Sequence, residues 1–316
     1  MIIDARNLNK IYKKNFKKIH ALKDVSFQVN YNQILGILGP NGAGKTTSIK
    51  ILLGLMKPTS GSSFINTIPS QNPNARQRVA FVTEQPYFYR FLTVVELLEF
   101  VYKLYPHITK KLFSEINRVL HIVQLDSSRG KKVHTLSKGM QQRLNMALAM
   151  LGDPEIYIMD EPMSGLDPIG RKLFRDIFRE LSQENRCIFF STHILEDIET
   201  ICNDIIAISN GSLVYTGPLK DLLSKYSTGK EIIVPKLPDE TIAILNSMGY
   251  QTKDLNKSNN LIYTESEKKS FHCQELLYSK NIFPLSIKAR TQSLEKILYN
   301  IYNREKKDEN NFYHRG

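Results

Sequence analysis

A nearly continuous apolar run, Gln33–Leu38, passes directly into the segment Gly39-Pro-Asn-Gly-Ala-Gly44-Lys45-Thr46 and then into a helix-forming stretch. A short apolar run without alternation suits a strand buried on both faces, as in a parallel sheet. The segment after it fits G-x-x-x-x-G-K-[ST], with the strand before and helix after that the pattern requires. Its glycines allow positive φ and let backbone N–H groups come close to phosphate. The helix is predicted over Thr46–Met56, stopping near Gly54 and Pro58. Its N-terminus points unpaired donors and a positive dipole end at the same anion. Lys45 adds a full charge for β/γ-phosphate oxygens, and the Thr46 hydroxyl suits a magnesium ion. The candidate phosphate-binding residues are Gly39, Pro40, Asn41, Gly42, Ala43, Gly44, Lys45, Thr46 and Thr47.

A second segment carries chemistry. Ile156-Tyr-Ile-Met-Asp160-Glu161 is an apolar strand that ends in two carboxylates. Asp160 at the strand tip can hold magnesium, directly or through water. Glu161 can orient or deprotonate an attacking water.

The rest of the chain reads as alternating elements. Ile2–Tyr12 and Ala21–Asn30 are predicted strands, the second with Val25, Phe27 and Val29 alternating with polar residues. Arg78–Thr83 is a further strand. Residues 86–150 read as mainly helical. Thr93-Val-Val-Glu96 is a capping-box pattern opening a helix to about Tyr105, and two more helices follow over Lys110–Gln124 and from Ser137 to about Leu151. From Glu155 strands and helices alternate: Ile156–Met159, Pro168–Glu184, Cys187–Ser191, Ile194–Cys202 and Asp204–Ser209. The last of these turns through Asn210-Gly211 into Ser212–Thr216. This alternation implies βαβ units and a parallel sheet. Ser224, Ser227, Thr228 and Gly229 read as a linker. Beyond it are predicted strand Glu231–Val234, helix Asp239–Met248, strand Leu261–Thr264, helix Lys268–Lys280, strand Phe283–Ile287 and helix Ser293–Asn303. Lys306 to Gly316 is a polar tail.

Bulk properties narrow the class. With 316 residues, 41% of them hydrophobic, the chain can build one large core and one small one. No apolar run approaches the roughly 18–20 residues of a membrane helix, and Met1–Lys14 lacks the apolar core of a secretory signal. A cytoplasmic chain is therefore expected, with any membrane-spanning part supplied by another polypeptide. Three scattered cysteines, Cys187, Cys202 and Cys273, argue for free thiols rather than disulfides or zinc. The net charge of +12 is partly local, in Lys10, Lys13, Lys14, Lys17 and Lys18, read as a solvated loop with anionic headgroups as a possible neighbour.

With both acidic and glycine-rich motifs in place, the chain resembles the ATPases of ABC transporters, their nucleotide-binding subunits. Their characteristic LSGGQ stands here as Leu136-Ser137-Lys138-Gly139-Met140, followed by Gln141-Gln142-Arg143; lysine and methionine depart from the consensus. The resemblance implies that Ser137 and Gly139, at a helix N-terminus, meet the γ-phosphate held by a second subunit. Ser164-Gly165-Leu166-Asp167 resembles the loop that couples the two sites, so Asp167 joins the nucleotide contacts. His193 resembles the histidine that holds the γ-phosphate and attacking water beside the catalytic Glu161, and Tyr12 resembles the aromatic that stacks on adenine. The family places a glutamine after the strand Arg78–Thr83, at the magnesium; here either Glu84 or Gln85 fills that place.

The likeness covers about residues 1–223. It implies an α/β fold of the P-loop NTPase type, with a RecA-like parallel-sheet core, an N-terminal antiparallel β subdomain and a helical subdomain at about 86–150. A small C-terminal α+β domain, 224–305, follows, and then the tail 306–316. Gln292-Ser293-Leu294-Glu295-Lys296-Ile297-Leu298 resembles the end of bacitracin- and daunorubicin-resistance export subunits. The implied ligands are ATP and Mg2+. The implied partners are a second nucleotide-binding subunit, identical or a close paralogue, and a separate transmembrane permease, at the cytoplasmic face of the membrane. No nucleic acid is expected. The alternative is a soluble ABC protein acting on ribosomes or nucleic acid; such proteins usually carry two cassettes or a long coiled-coil insertion, which this chain lacks.

Overall fold

The apolar pentapeptide Ile34–Leu38 is buried at every residue and has a parallel neighbour on each edge. The structure, a computed structural model, describes residues 2–14, 17–105 and 111–302. The chain divides into two units, Met1–Leu219 and Lys220–Gly316.

The first unit opens with β1 (Ile3–Lys14), β2 (Lys17–Val29), β3 (Ile34–Leu38), α1 (Lys45–Leu52), β4 (Ser60–Ile65), β5 (Ile68–Pro69) and β6 (Val79–Val82). Three helices follow: α2 (Val94–Tyr102), α3 (Leu112–Ile122) and α4 (Lys138–Met150). Then come β7 (Ile156–Met159), α5 (Pro168–Gln183), β8 (Cys187–Thr192), α6 (Leu195–Ile201), β9 (Asp204–Ser209) and β10 (Ser212–Pro218). The sheet order is β5-β4-β1-β2-β10-β9-β3-β8-β7-β6. Within it β9, β3, β8, β7 and β6 are mutually parallel, whereas β1, β2, β4 and β5 form an antiparallel set. One parallel bridge, Ser212↔Lys23, joins the two parts.

Local chemistry accounts for the main elements. α5 buries Phe174, Ile177, Phe178 and Leu181, an i, i+3, i+4, i+7 stripe that faces the sheet. The Phe178 ring lies 5.5 Å from that of Phe190 in β8. Asn210 and Gly211, at φ 48° and 82°, make the tight turn that pairs Ser212 with Ser209. At α2 both halves of the capping box are formed: Glu96 N donates to Thr93 Oγ1 at 3.2 Å, and Thr93 N to Glu96 Oε2 at 2.6 Å. These bonds, the backbone one foremost, hold the Glu96 carboxyl below its ordinary value.

The second unit is reached through α7 (Leu219–Lys225). It contains β11 (Ser227–Pro235), α8 (Asp239–Ser247), β12 (Gln251–Asn256), β13 (Asn259–Thr264), α9 (Glu267–Ser279), β14 (Ser286–Thr291) and a helix at 294–302. The antiparallel order β12-β13-β11-β14 with a β-α-β-β-α-β sequence is the split βαβ arrangement. Its core joins Ile232, Val234 and Ile262 of the sheet to Leu245, Cys273 and Leu277 of the helices.

Several expectations change. β4, β5 and β12 are strands that the sequence reading left unassigned. β4 is polar for most of its length and is held by pairing such as Ile3↔Ile65; β12 is almost wholly exposed, so neither has an apolar rhythm. The expected strand Phe283–Ile287 begins later, at Ser286, where pairing with Ile233 starts; Phe283 and Leu285 are exposed. The expected linker is not a loop. Ser224 lies in α7, and Ser227–Gly229 lie in β11, where Gly229 has φ 129° and a β-carbon would fall 1.7 Å from Thr264 O. The lysine-rich segment is the end of the β1–β2 hairpin, with Lys13 opposite Lys18, rather than a loop. Phe16, Lys110 and the tail 306–316 lie outside the described residues. The cysteines are free; burial pushes the Cys187 thiol to about 12 and that of Cys273 to about 11. Among the described residues no helix is long and apolar enough to cross a membrane.

Thr93→Ala removes one half of the capping box and is expected to destabilise the first unit by about 1 kcal/mol. Urea unfolding should show a lower midpoint at unchanged slope; an unmoved midpoint would mean that α2 does not depend on this cap.

Candidate active site: the phosphate cleft

Parallel register brings the candidate residues to one sheet edge. Leu38 is level with Thr192, Met159 with Phe190, and Val82 with Met159. The residues just past these strand ends are Gly39, His193, Asp160 and Thr83, with Glu84 one residue further on. They therefore emerge at the same carboxyl edge, where ligands bind in open α/β sheets.

The loop after β3 depends on glycine at two points. A β-carbon at Gly39 would lie 2.3 Å from Ile208 O, and one at Gly44 would lie 2.6 Å from Ala21 O. Gly44 also has φ 115° and is the N-cap of α1, with no side chain over the first turn. The turn's N–H groups are thus left to an outside acceptor. Lys45 opens the helix and is only 7% exposed. Its Nζ donates to Gly39 O at 2.6 Å and reaches Pro40 O at 3.4 Å.

The acidic pair is held from β8. Ser191 Oγ donates to Asp160 Oδ1 at 2.6 Å and accepts from Glu161 N at 2.8 Å. One hydroxyl thus orients the first carboxylate and fixes the backbone of the second. Glu161 has φ 48°, a conformation that costs a non-glycine residue about 1 kcal/mol or more. The bond to Ser191 helps to hold it there. The Glu161 carboxylate lies between two partners: His193 Nδ1 donates to Oε2 at 2.8 Å, and Lys45 Nζ stands 3.7 Å from Oε1. Because a carboxylate only accepts, the His193 hydrogen is on Nδ1, leaving Nε2 for another group.

These residues enclose one cleft of about 280 Å³. It is lined by Ala21, Pro40, Asn41, Gly42, Ala43, Gly44, Lys45, Thr46, Thr47, Glu84, Glu161 and His193. Glu84 lines it; Gln85, also exposed, does not. Tyr12 is not among the lining residues, although it is close: its hydroxyl donates to Met56 Sδ at 3.0 Å and lies 3.4 Å from Thr47 Oγ1.

The remaining candidates stand apart from this cleft. Ser137 is exposed and caps α4, its Oγ accepting from Met140 N at 3.3 Å. A β-carbon at Gly139 would sit 3.7 Å from Leu166 Cδ2, so the 164–167 segment runs beside the start of α4. Asp167 caps α5, its Oδ1 accepting from Gly170 N at 2.8 Å. None of the three lines the cleft of its own chain.

Ser191 and Ala21 were given no role by sequence reasoning. Ser191 had one visible signal, a hydroxyl ending an apolar strand two residues before His193. Ala21 had none, because it reaches the cleft from β2 only through tertiary pairing.

Comparison with known proteins accords with this geometry. The family profile described as ABC transporter matches residues 22–164. An ABC transporter ATP-binding protein of Nostoc sp. is 39% identical over 232 residues, which is 72% of this chain and 69% of the relative. The Nod factor export ATP-binding protein I of Cupriavidus metallidurans is 33% identical over 224 residues, covering 70% of this chain and 73% of the relative. A dimeric structure of a bacterial ABC transporter cassette aligns at a TM-score of 0.65 and 25% identity, over 69% of this chain and 99% of that one. The chain belongs to the ABC transporter family, among its ATP-binding proteins, and is an ATPase of that class.

Ser191→Ala deletes the hydroxyl shared by Asp160 and Glu161. It is expected to lower ATP turnover by roughly 10- to 100-fold, the usual cost of losing such a supporting hydrogen bond. Steady-state phosphate release checks this; unchanged turnover would mean that the acidic pair is held without Ser191.

Proposed function

We propose that the chain is the ATP-hydrolysing subunit of an ABC exporter, working as one half of a nucleotide-sandwiched pair and driving a separate transmembrane permease. The observation that carries this reading is the placement of Glu161 between Lys45 and His193 at the mouth of the phosphate cleft. The polyphosphate lies in the cleft, on the amides of residues 39–47, and Lys45 exchanges its carbonyl contacts for phosphate oxygens. Glu161 takes a proton from the attacking water, whose oxygen bonds to the γ-phosphorus as the bond to the bridging oxygen breaks. His193 orients that water and the γ-phosphate. ADP and phosphate leave.

The residues present fit a magnesium ion, a hard cation that takes oxygen donors. The Thr46 hydroxyl and the Asp160 carboxylate would hold it, with Glu84, which lines the cleft, in preference to Gln85. When bound, the ion neutralises charge on the β- and γ-phosphate oxygens.

Ser137, Gly139 and Asp167 act on the nucleotide of the facing subunit. All three lie outside their own chain's cleft, and Ser137 heads a helix whose first-turn amides suit an anion. A two-fold pair creates two such composite sites from one surface, with an identical chain or a close paralogue as partner. Tyr12 lies near Thr47, at the place for an adenine ring. The helical stretch 86–150 passes the closing motion to the permease at the cytoplasmic face of the membrane. Export is favoured by the likeness to the Nod factor export protein.

Glu161→Gln is expected to bind ATP and to accumulate as a closed pair, seen as ATP-dependent doubling of mass in analytical ultracentrifugation. Normal turnover by this variant would remove Glu161 as the base.

A further inference from the structure

Two backbone carbonyls flank the acidic residues of the cleft. Thr83 immediately precedes Glu84, and Pro162 immediately follows Glu161. Both carbonyls face α4. Gln142 Nε2 donates to Pro162 O at 2.8 Å and reaches Thr83 O at 3.4 Å; Asn145 Nδ2 donates to Thr83 O at 3.0 Å. The two residues are 2% and 8% exposed. The same helix begins at Ser137.

Buried side-chain amides are costly unless they are hydrogen-bonded. Around them α4 buries Leu144, Met146, Ala147 and Met150, so an apolar residue would suit packing equally well at these two positions. The amides instead direct their donors at loop carbonyls beyond the ends of β6 and β7. A single rigid helix therefore carries Ser137 at its tip and, within roughly 12 Å along its axis at 1.5 Å per residue, holds both acidic loops. Such a hydrogen-bonded connection can carry coupling between sites.

We infer that Gln142 and Asn145 are positioning residues that tie the placement of Glu84 and Glu161 to the position of the helix headed by Ser137. The inference rests on the two-subunit reading given above. When Ser137 docks on the facing subunit's nucleotide, α4 settles, and its two amides set the acidic loops of its own cleft. Each subunit's chemistry is thereby made conditional on the nucleotide held by the other.

The test uses Gln142→Met and Asn145→Leu, which delete the donors. Turnover, KM, ATP affinity by fluorescent-nucleotide titration and thermal midpoint are measured, along with ATP-dependent pairing in a Glu161→Gln background. Each variant should lower kcat on the order of tenfold to a hundredfold while KM and ATP affinity stay within about twofold, the pattern of a small misplacement of reacting groups. Pairing should persist. Normal kcat overturns the inference. So does a fall in kcat matched by equal losses of affinity and pairing, which marks general loss of structure. If Gln142→Met does not fold, Asn145→Ala, which removes a single donor, carries the same test. If Glu161→Gln with both amides intact never pairs on ATP, the two-subunit reading falls and the coupling falls with it. Pairing together with normal turnover in the amide variants overturns the coupling alone.

Discussion

The bond from Ser191 to Asp160 forms because β7 and β8 run parallel with Met159 level with Phe190, which brings Ser191 level with Asp160. That register is the constraint on which the cleft depends. It places a small hydroxyl where it can serve a carboxylate with its hydrogen and a strained backbone with its lone pair. With β8 slipped by one residue on β7, Ser191 would point to the opposite face and Glu161 would lose its anchor.

Charge is concentrated at this edge and largely removed from water. Lys45, Asp160 and Glu161 are each under a tenth exposed. Burying a charged group is costly unless partners replace its hydration. Here the partners are Gly39 O for the ammonium, the Ser191 hydroxyl for Asp160, and His193 with Lys45 for Glu161. The acidic pair is thus held by partners within the protein itself, the kind of preorganised electrostatics that stabilises a transition state effectively.

The antiparallel strands and the helical stretch frame this edge rather than complete it. β2 brings Ala21 to the cleft wall and limits the space at Gly44. α4 reaches the cleft indirectly, through carbonyls next to Glu84 and Glu161. The second unit has its own core and its own sheet.

Sequence alone determined the elements whose own residues carry the signal. The inner strand β3 reads as uninterrupted apolar residues, because a strand covered on both faces has no polar side to show. The capping box at Thr93, the Asn210-Gly211 turn and the stripe on α5 are likewise local rules of geometry, complete within a few residues. Tertiary structure decided whatever depends on a neighbour distant in the chain. β4 and β12 are too polar to announce themselves and exist because β1 and β13 offer them hydrogen-bonding edges. Gly229 reads as a linker glycine until the approach of Thr264 shows why no side chain fits. Glu84 and Gln85 are adjacent and both polar, and only the end of β6 decides which of them enters the cleft. Ser191 gains its two partners from the register of β8 on β7, a relation between segments some thirty residues apart that no local pattern records.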